Sequence, residues 1–264
     1  MSYLWNVSGS ILSRPAREVL SLLVADDKKN YEKIEREFGD DLKLLDDALA
    51  LYIESIQGAY RVQEKWRNKP SAEAPIILFS SVLNILLLIR HSILLGYFPE
   101  TPTLFRNCHE RITRGYLFWL NESEAKDYLS GKKLSQIDID KRLSAALEPR
   151  DDKEKEIYSE LRKTYRHESE LSHPNLSSFK LRYGDSEITT LKEKVISSPV
   201  WGGILFDELV KPVVYSAIQI TIRAISIIKL IFVESSGSYE KEFEEIFRKY
   251  RHYIETIKPK NVDK

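Results

Sequence analysis

Apolar residues recur alternately every three and every four positions across residues 42–66, beginning with Leu42, Leu45 and Leu49. This spacing places side chains on one face of an α-helix, so the sequence predicts a long amphipathic helix here. The turn-forming residues 68–71 follow it, and further apolar helical segments come after similar breakers. Long helices joined by short breakers indicate helix-on-helix packing rather than a sheet.

The sequence therefore predicts an all-α helical bundle that forms a single domain over residues 1–264. With 264 residues, of which 42% are hydrophobic, the chain is long enough to bury a real apolar core. About four long helices are expected to form that core, at about 41–67, 73–97, 102–120 and 203–235. Charged helices near 14–37, 151–172 and 239–256 are expected to cover it.

Residues 175–201 form the least helical segment of the sequence. Phe179, Leu181 and Tyr183 alternate as in a short strand, and the run 197–199 has loop composition. We expect an irregular excursion from the bundle here.

Charge and cysteine content exclude several classes of protein. Forty basic and forty acidic residues give a net charge of zero, which is not the positive bias of most nucleic-acid-binding domains. The single cysteine, Cys108, cannot form an intrachain disulfide, so a disulfide-held secreted scaffold is excluded. Residues 1–13 lack the pattern of a secretory signal. These features predict a cytoplasmic protein.

Two apolar segments, 76–89 and 213–233, raise the question of a membrane span. The first is only fourteen residues long, and the second contains Gln219, Arg223 and Lys229. Spans are usually about twenty residues, and an ionised side chain is costly at the bilayer centre. We expect both segments to be buried core helices and the protein to have no membrane partner.

Polar residues recur at near-helical spacing within these two apolar helices. They are Ser80, Ser81, Asn84 and His91 in the first helix and Ser216, Gln219, Arg223 and Ser226 in the second. These stripes are either the solvent edges of half-buried helices or the two walls of an internal polar cleft. A buried Arg223 would require an acidic partner or an anionic ligand.

Arg106, His109 and Glu110 are spaced by three and four residues, so they project from one face of the predicted helix 102–120. If that face is exposed, the residues contribute solubility and weak pairing. If it is buried, they form a binding site in which arginine holds a phosphate or carboxylate. His109 beside a carboxylate could then act as an acid or base near neutral pH.

The run 162–175 is the richest in chemically active residues. Glu170 and His173 copy half of the carboxylate-histidine pattern of di-iron bundles, but no second Glu-x-x-His is present, and no close-spaced zinc ligand set exists. We therefore expect no metal and no cofactor.

Two arginine-histidine pairs in this run, Arg162 with His167 and Arg166 with His173, match the Arg-x(4 to 6)-His motif. The run thereby resembles the HEPN helical nuclease superfamily. That resemblance implies a metal-independent ribonuclease in which arginine stabilises the phosphorane and histidine moves the 2′-hydroxyl proton. An RNA substrate is expected only under this interpretation, which would place the site across a dimer interface. A homodimer is possible under any of the interpretations.

A broader resemblance covers about residues 76–175. Arg106 and Glu110 form an Arg-x3-Glu element on a core helix, and His173-Pro174-Asn175 follows later. Together they resemble an uncharacterised prokaryotic all-helical family, which implies a helical fold without an established activity.

The leading hypothesis is a helical-bundle binding or interaction protein whose polar cleft holds a small anionic ligand or a protein partner. The ligand-binding residues are predicted to be Arg106, His109, Glu110, His173 and Arg223. The arginines would anchor the anion, His173 would gate it, and Glu110 would supply the compensating charge. The alternatives are the HEPN-type ribonuclease and a purely structural interaction protein without a pocket.

Overall fold

In a computed structural model of the chain, the described residues are 16–63, 69–172, 207–232 and 240–257. Within these ranges the chain forms nine α-helices and a 3-10 turn at Phe98–Glu100, with no strand, which confirms the all-α prediction. The helices are α1 Ala16–Glu37, α2 Gly39–Gln63, α3 Pro70–Leu95, α4 Thr101–Leu120, α5 Glu122–Leu129, α6 Gln136–Leu147, α7 Asp152–Ser172, α8 Asp207–Ile231 and α9 Glu240–Ile257. The excursion predicted at 175–201 lies outside the described residues.

Local sequence explains where α3 ends and where α4 and α5 begin. α3 is followed by Gly96, whose φ of 79° is in the left-handed region that favours glycine. α4 has Pro102 in its first turn, where a missing amide hydrogen costs nothing. The side-chain oxygen of Asn121 accepts hydrogen bonds from the backbone N–H groups of Ser123 and Glu124 and caps α5.

Helix α4 lies at the centre of the bundle, where it packs against α3, α6, α7 and α8. One of its faces is apolar and fully buried, with Phe105, Cys108 and Ile112 in the core. α3 and α4 approach closely at Gly115, where an added Cβ would lie 3.0 Å from the buried ring of Phe79. This close contact fixes which face of α4 is turned toward α7 and α8.

Buried or half-buried polar contacts hold the neighbouring helices in register. The Tyr52 hydroxyl in α2 donates to the backbone oxygen of Phe79 in α3 at 2.9 Å. The Tyr116 hydroxyl in α4 donates to a carboxylate oxygen of Glu154 in α7 at 2.5 Å. The Tyr52 bond joins the consecutive helices α2 and α3, whereas the Tyr116 bond keeps α7 docked beside α4.

Two of the described helices are long and apolar enough to cross a membrane, at Pro70–Leu95 and Leu209–Ile231. In the most apolar 18-residue stretch of these two helices, 50% and 61% of the residues, respectively, are buried inside the bundle. Core helices of soluble proteins show the same features, so length and composition are weak evidence for a span.

We predict that Gly115→Ala destabilises the protein although alanine favours helix. The added methyl group would press on the Phe79 ring, and overpacking of a core costs more than the roughly 0.5–1 kcal/mol gained in helix propensity. We expect the free energy of unfolding in urea to fall by about 1–2 kcal/mol.

The matched control is Gly39→Ala, because no atom lies within 4 Å of a Cβ at that position. This variant should lose no stability. A Gly115→Ala protein as stable as the wild type would contradict the tight contact between α3 and α4.

Candidate functional site

The polar face of α4 carries three of the predicted site residues. Arg106, His109 and Glu110 lie on one side of the helix because they are three and four residues apart. The apolar side of the helix is buried against the core. Arg106 and Glu110 are half-buried, whereas His109 is completely buried. Their face is turned toward α7 and α8, which both pack on α4.

Glu110 is the common partner of several groups. The Arg106 Nε donates to its Oε1 at 3.0 Å, and the Tyr165 hydroxyl of α7 donates to the same oxygen at 3.3 Å. A guanidinium nitrogen of Arg114 lies 4.0 Å from the Oε2. The Arg106 guanidinium also lies 5.7 Å from the centre of the Tyr165 ring, within cation-π range.

This pairing favours the charged form of Arg106. Burial is the largest single effect and disfavours the charged guanidinium, but the interactions with Glu110 and Tyr165 together outweigh burial and raise the pKa of Arg106. Glu110 therefore supplies a negative charge to Arg106, and its role beside a bound anion stays a prediction.

His109 has a different environment from the one that its sequence spacing suggested. Neither ring nitrogen has a hydrogen-bond partner among the described residues. Burial, together with the nearby positive charge of Arg223, lowers the pKa of His109 to about 3. The expectation of an acid or base working near neutral pH is therefore wrong, because the ring stays neutral at pH 7 and lies beside an arginine.

Arg223 connects α8 to α7 across the polar face of α4. Its guanidinium donates to the Thr164 hydroxyl, and a second nitrogen lies 3.5 Å from the Oε2 of Glu160. Only 13% of the Arg223 side chain is exposed. The described backbones of α7 and α8 themselves make few close contacts. The acidic partner that a buried Arg223 requires is therefore present, in Glu160.

Four predicted residues thus meet at the place where α7 and α8 flank α4, which we call the α4–α7–α8 junction. Thr164 and Tyr165 are adjacent in α7, and they contact Arg223 and Glu110 respectively. The fifth predicted residue, His173, lies outside the described residues. The sequence patterns did not identify Thr164 and Glu160 as site residues, because their partner Arg223 is about sixty positions away in sequence.

The two polar stripes differ in how much of each is exposed. Asn84 and His91 are exposed on α3, whereas Ser80 and Ser81 are half-buried, so only part of the first stripe faces solvent. Gln219, Arg223 and Ser226 on α8 are half-buried. Helical spacing identifies a face but not the element that covers it, so the spacing could not show that Asn84 and His91 face solvent.

The two arginine-histidine pairs of α7 are only partly described. Arg162 and Arg166 are exposed, the side chain of His167 is outside the described part, and His173 is beyond it. Both arginines lie close enough to Asp140 in α6 to oppose the burial that raises the pKa of Asp140. Among the described residues, no group of three or more His, Cys, Asp or Glu side chains could hold a metal ion.

Comparison with protein-family models, curated proteins and solved structures gives no match to this chain. The resemblances to the HEPN superfamily and to the prokaryotic helical family therefore stay predictions.

We predict that His109 makes the protein sensitive to acid. The pKa of His109 in the folded protein, about 3, lies below its unfolded value of 6.5, so the unfolded chain binds one more proton between these values. The stability that depends on the neutral His109 ring is therefore fully present above pH 6.5 and is lost as the pH falls toward 3. Between pH 6.5 and 4.5 we expect this residue to account for a loss of about 2 kcal/mol.

The measurement is urea unfolding of the wild type and of His109→Gln at several pH values. The effects of other titrating groups cancel when the unfolding free energies of the two proteins are subtracted at each pH. His109→Gln should therefore lose less stability than the wild type on acidification. His91→Gln, at an exposed position of α3, is the control and should follow the wild type. The prediction would be contradicted if the free energy of unfolding fell with pH equally in the wild type and in His109→Gln.

Proposed function

We propose that the protein binds a small anion, a carboxylate or a phosphate, at the α4–α7–α8 junction. The observation that carries the proposal is the completely buried His109 ring, whose two nitrogens have no partner among the described residues. Buried polar atoms are almost always hydrogen-bonded, so this ring calls for a partner. The neutral ring can donate one N–H bond, and the neighbouring Arg223 favours an acceptor with negative charge.

Glu160 supplies a route by which an anion could reach Arg223. Its side chain is 45% exposed, and its other oxygen pairs with Lys163 at 2.7 Å. When an anion replaces Glu160 at the guanidinium, the carboxylate keeps a partner and stays in water. The exchange therefore leaves no charge buried and unpaired.

The remaining residues of the junction set its charge and geometry. Arg106, Arg223 and Lys163 are opposed by Glu110 and Glu160, which leaves a net charge of one positive. That excess attracts an anion. Glu110 and Tyr165 hold Arg106 in place, so the positive group does not need to be ordered when the anion binds.

The other hypotheses remain predictions beside this one. They are the HEPN-type ribonuclease, the purely structural interaction protein, a protein partner, a homodimer, the cytoplasmic location and the absence of a membrane partner. Incubation of the protein with mixed RNA and a chelator tests the ribonuclease, since metal-free cleavage that is lost in His173→Ala would support it.

We predict opposite effects for two substitutions that break the same ion pair. Arg223→Gln removes the anchor and should weaken the binding of phosphate or acetate by about tenfold or more. Glu160→Gln removes the competing carboxylate and should strengthen binding by about twofold to fivefold, because half-exposed pairs are worth up to about 1 kcal/mol. Isothermal titration calorimetry with each anion measures both changes.

Glu156→Gln is the matched control, because Glu156 is an exposed residue one turn earlier on α7. It should bind like the wild type. If the wild type binds neither anion, or if Glu160→Gln and Arg223→Gln shift affinity in the same direction, the proposed exchange is wrong.

A further inference from the structure

A groove on the other flank of α4 has features of a second binding site. It lies between α3, α4 and α5 and has a volume of about 340 Å³. Its lining consists of Ile77, Leu78, Ser81, Asn107, Glu110, Arg111, Arg114 and Tyr128. Of the predicted site residues, only Glu110 reaches it, so the groove is distinct from the α4–α7–α8 junction.

Two arginines in the groove are incompletely neutralised. Arg111 is half-buried and has no hydrogen bond or ion pair within the described part of the chain. Arg114 has a buried Nε without a partner there, and its ion pair with Glu110 is long at 4.0 Å. Glu110 is already hydrogen-bonded to Arg106 and Tyr165, so it cannot fully serve Arg114 as well.

Apolar side chains of α3 and α5 also line the groove. Ile77 is 44% exposed although it is a large aliphatic residue, and Leu78 lies beside it. The Tyr128 ring is held against Phe118, with the ring centres 4.9 Å apart. An apolar group that lies in the groove would therefore cover Ile77 and meet a ring of fixed orientation.

We propose that this groove binds an organic monoanion that carries an aromatic or aliphatic group. Arg111, Arg114 and Glu110 are the charged side chains of the lining and sum to one positive charge, which one carboxylate neutralises. A dianion would leave an excess negative charge close to Glu110. One amide N–H of Asn107 donates to the Thr103 carbonyl at 3.3 Å, and the other can donate to the ligand. This site is independent of the function proposed for the junction.

The test uses naphthalene-2-carboxylate as the probe, with calorimetric titration of the full chain. The probe should bind, and the neutral naphthalene-2-carboxamide should bind about tenfold or more weakly, because it cannot pair with the arginines. Arg111→Gln should weaken carboxylate binding to a similar extent. This variant removes no hydrogen bond or ion pair among the described residues, and circular dichroism checks that it is folded.

Three further variants distinguish binding in the groove from binding elsewhere on the protein. Arg61→Gln, at an exposed position on α2, and Arg223→Gln, at the junction, should both bind the probe like the wild type. Ile77→Asn should weaken binding by reducing apolar contact.

The proposal is overturned if the amide binds as tightly as the carboxylate, or if Arg111→Gln binds like the wild type. It is also overturned if Arg223→Gln abolishes binding, because the probe would then be at the junction. Displacement of the probe by an equal concentration of inorganic phosphate would likewise overturn it, since a simple anion site needs no apolar wall.

Discussion

The close contact of α4 with α3 determines how the rest of the molecule is arranged. Gly115 allows the Phe79 ring to lie directly against the α4 backbone, so the rotation of α4 about its own axis is fixed. The apolar side of the helix is then used by the core, and its charged side must face α7 and α8. Every polar contact of the junction follows from that orientation, because Arg106, His109 and Glu110 cannot turn toward water without losing the apolar packing behind them.

Once these groups are turned inward, electrostatics limits what can lie beside them. A charge held away from water needs a partner, and the structure meets this need in two ways. Glu110 pairs with Arg106 through a hydrogen bond of 3.0 Å, whereas Glu160 reaches Arg223 from a half-exposed position at 3.5 Å. The first pair is a fixed part of the fold. The second can exchange with a solute, which is why the binding function is assigned to Arg223 rather than to Arg106.

Much of the fold could be predicted from the sequence because its signals are local. Helical spacing, together with signals such as Pro102 and Asn121, indicates helices and the points where they begin. The pairing of Arg106 with Glu110 was also accessible, because residues four apart on a helix are neighbours. The contacts of Arg223 with Thr164 and Glu160 were not, since they depend on how α7 and α8 flank α4. For the same reason the sequence could not show that Asn84 faces solvent or that Arg111 lines a groove.

The central claim is that the neutral, buried ring of His109 lies beside Arg223 in a junction that accepts an anion. The most direct measurement is the nitrogen NMR chemical shifts of the His109 ring, assigned by comparison with His109→Gln and recorded from pH 7 to 4.5 with and without phosphate. The account predicts a ring that stays neutral over this range and whose shifts change on addition of phosphate in the wild type but not in Arg223→Gln. A ring that becomes protonated near pH 6.5 and does not respond to phosphate would contradict it.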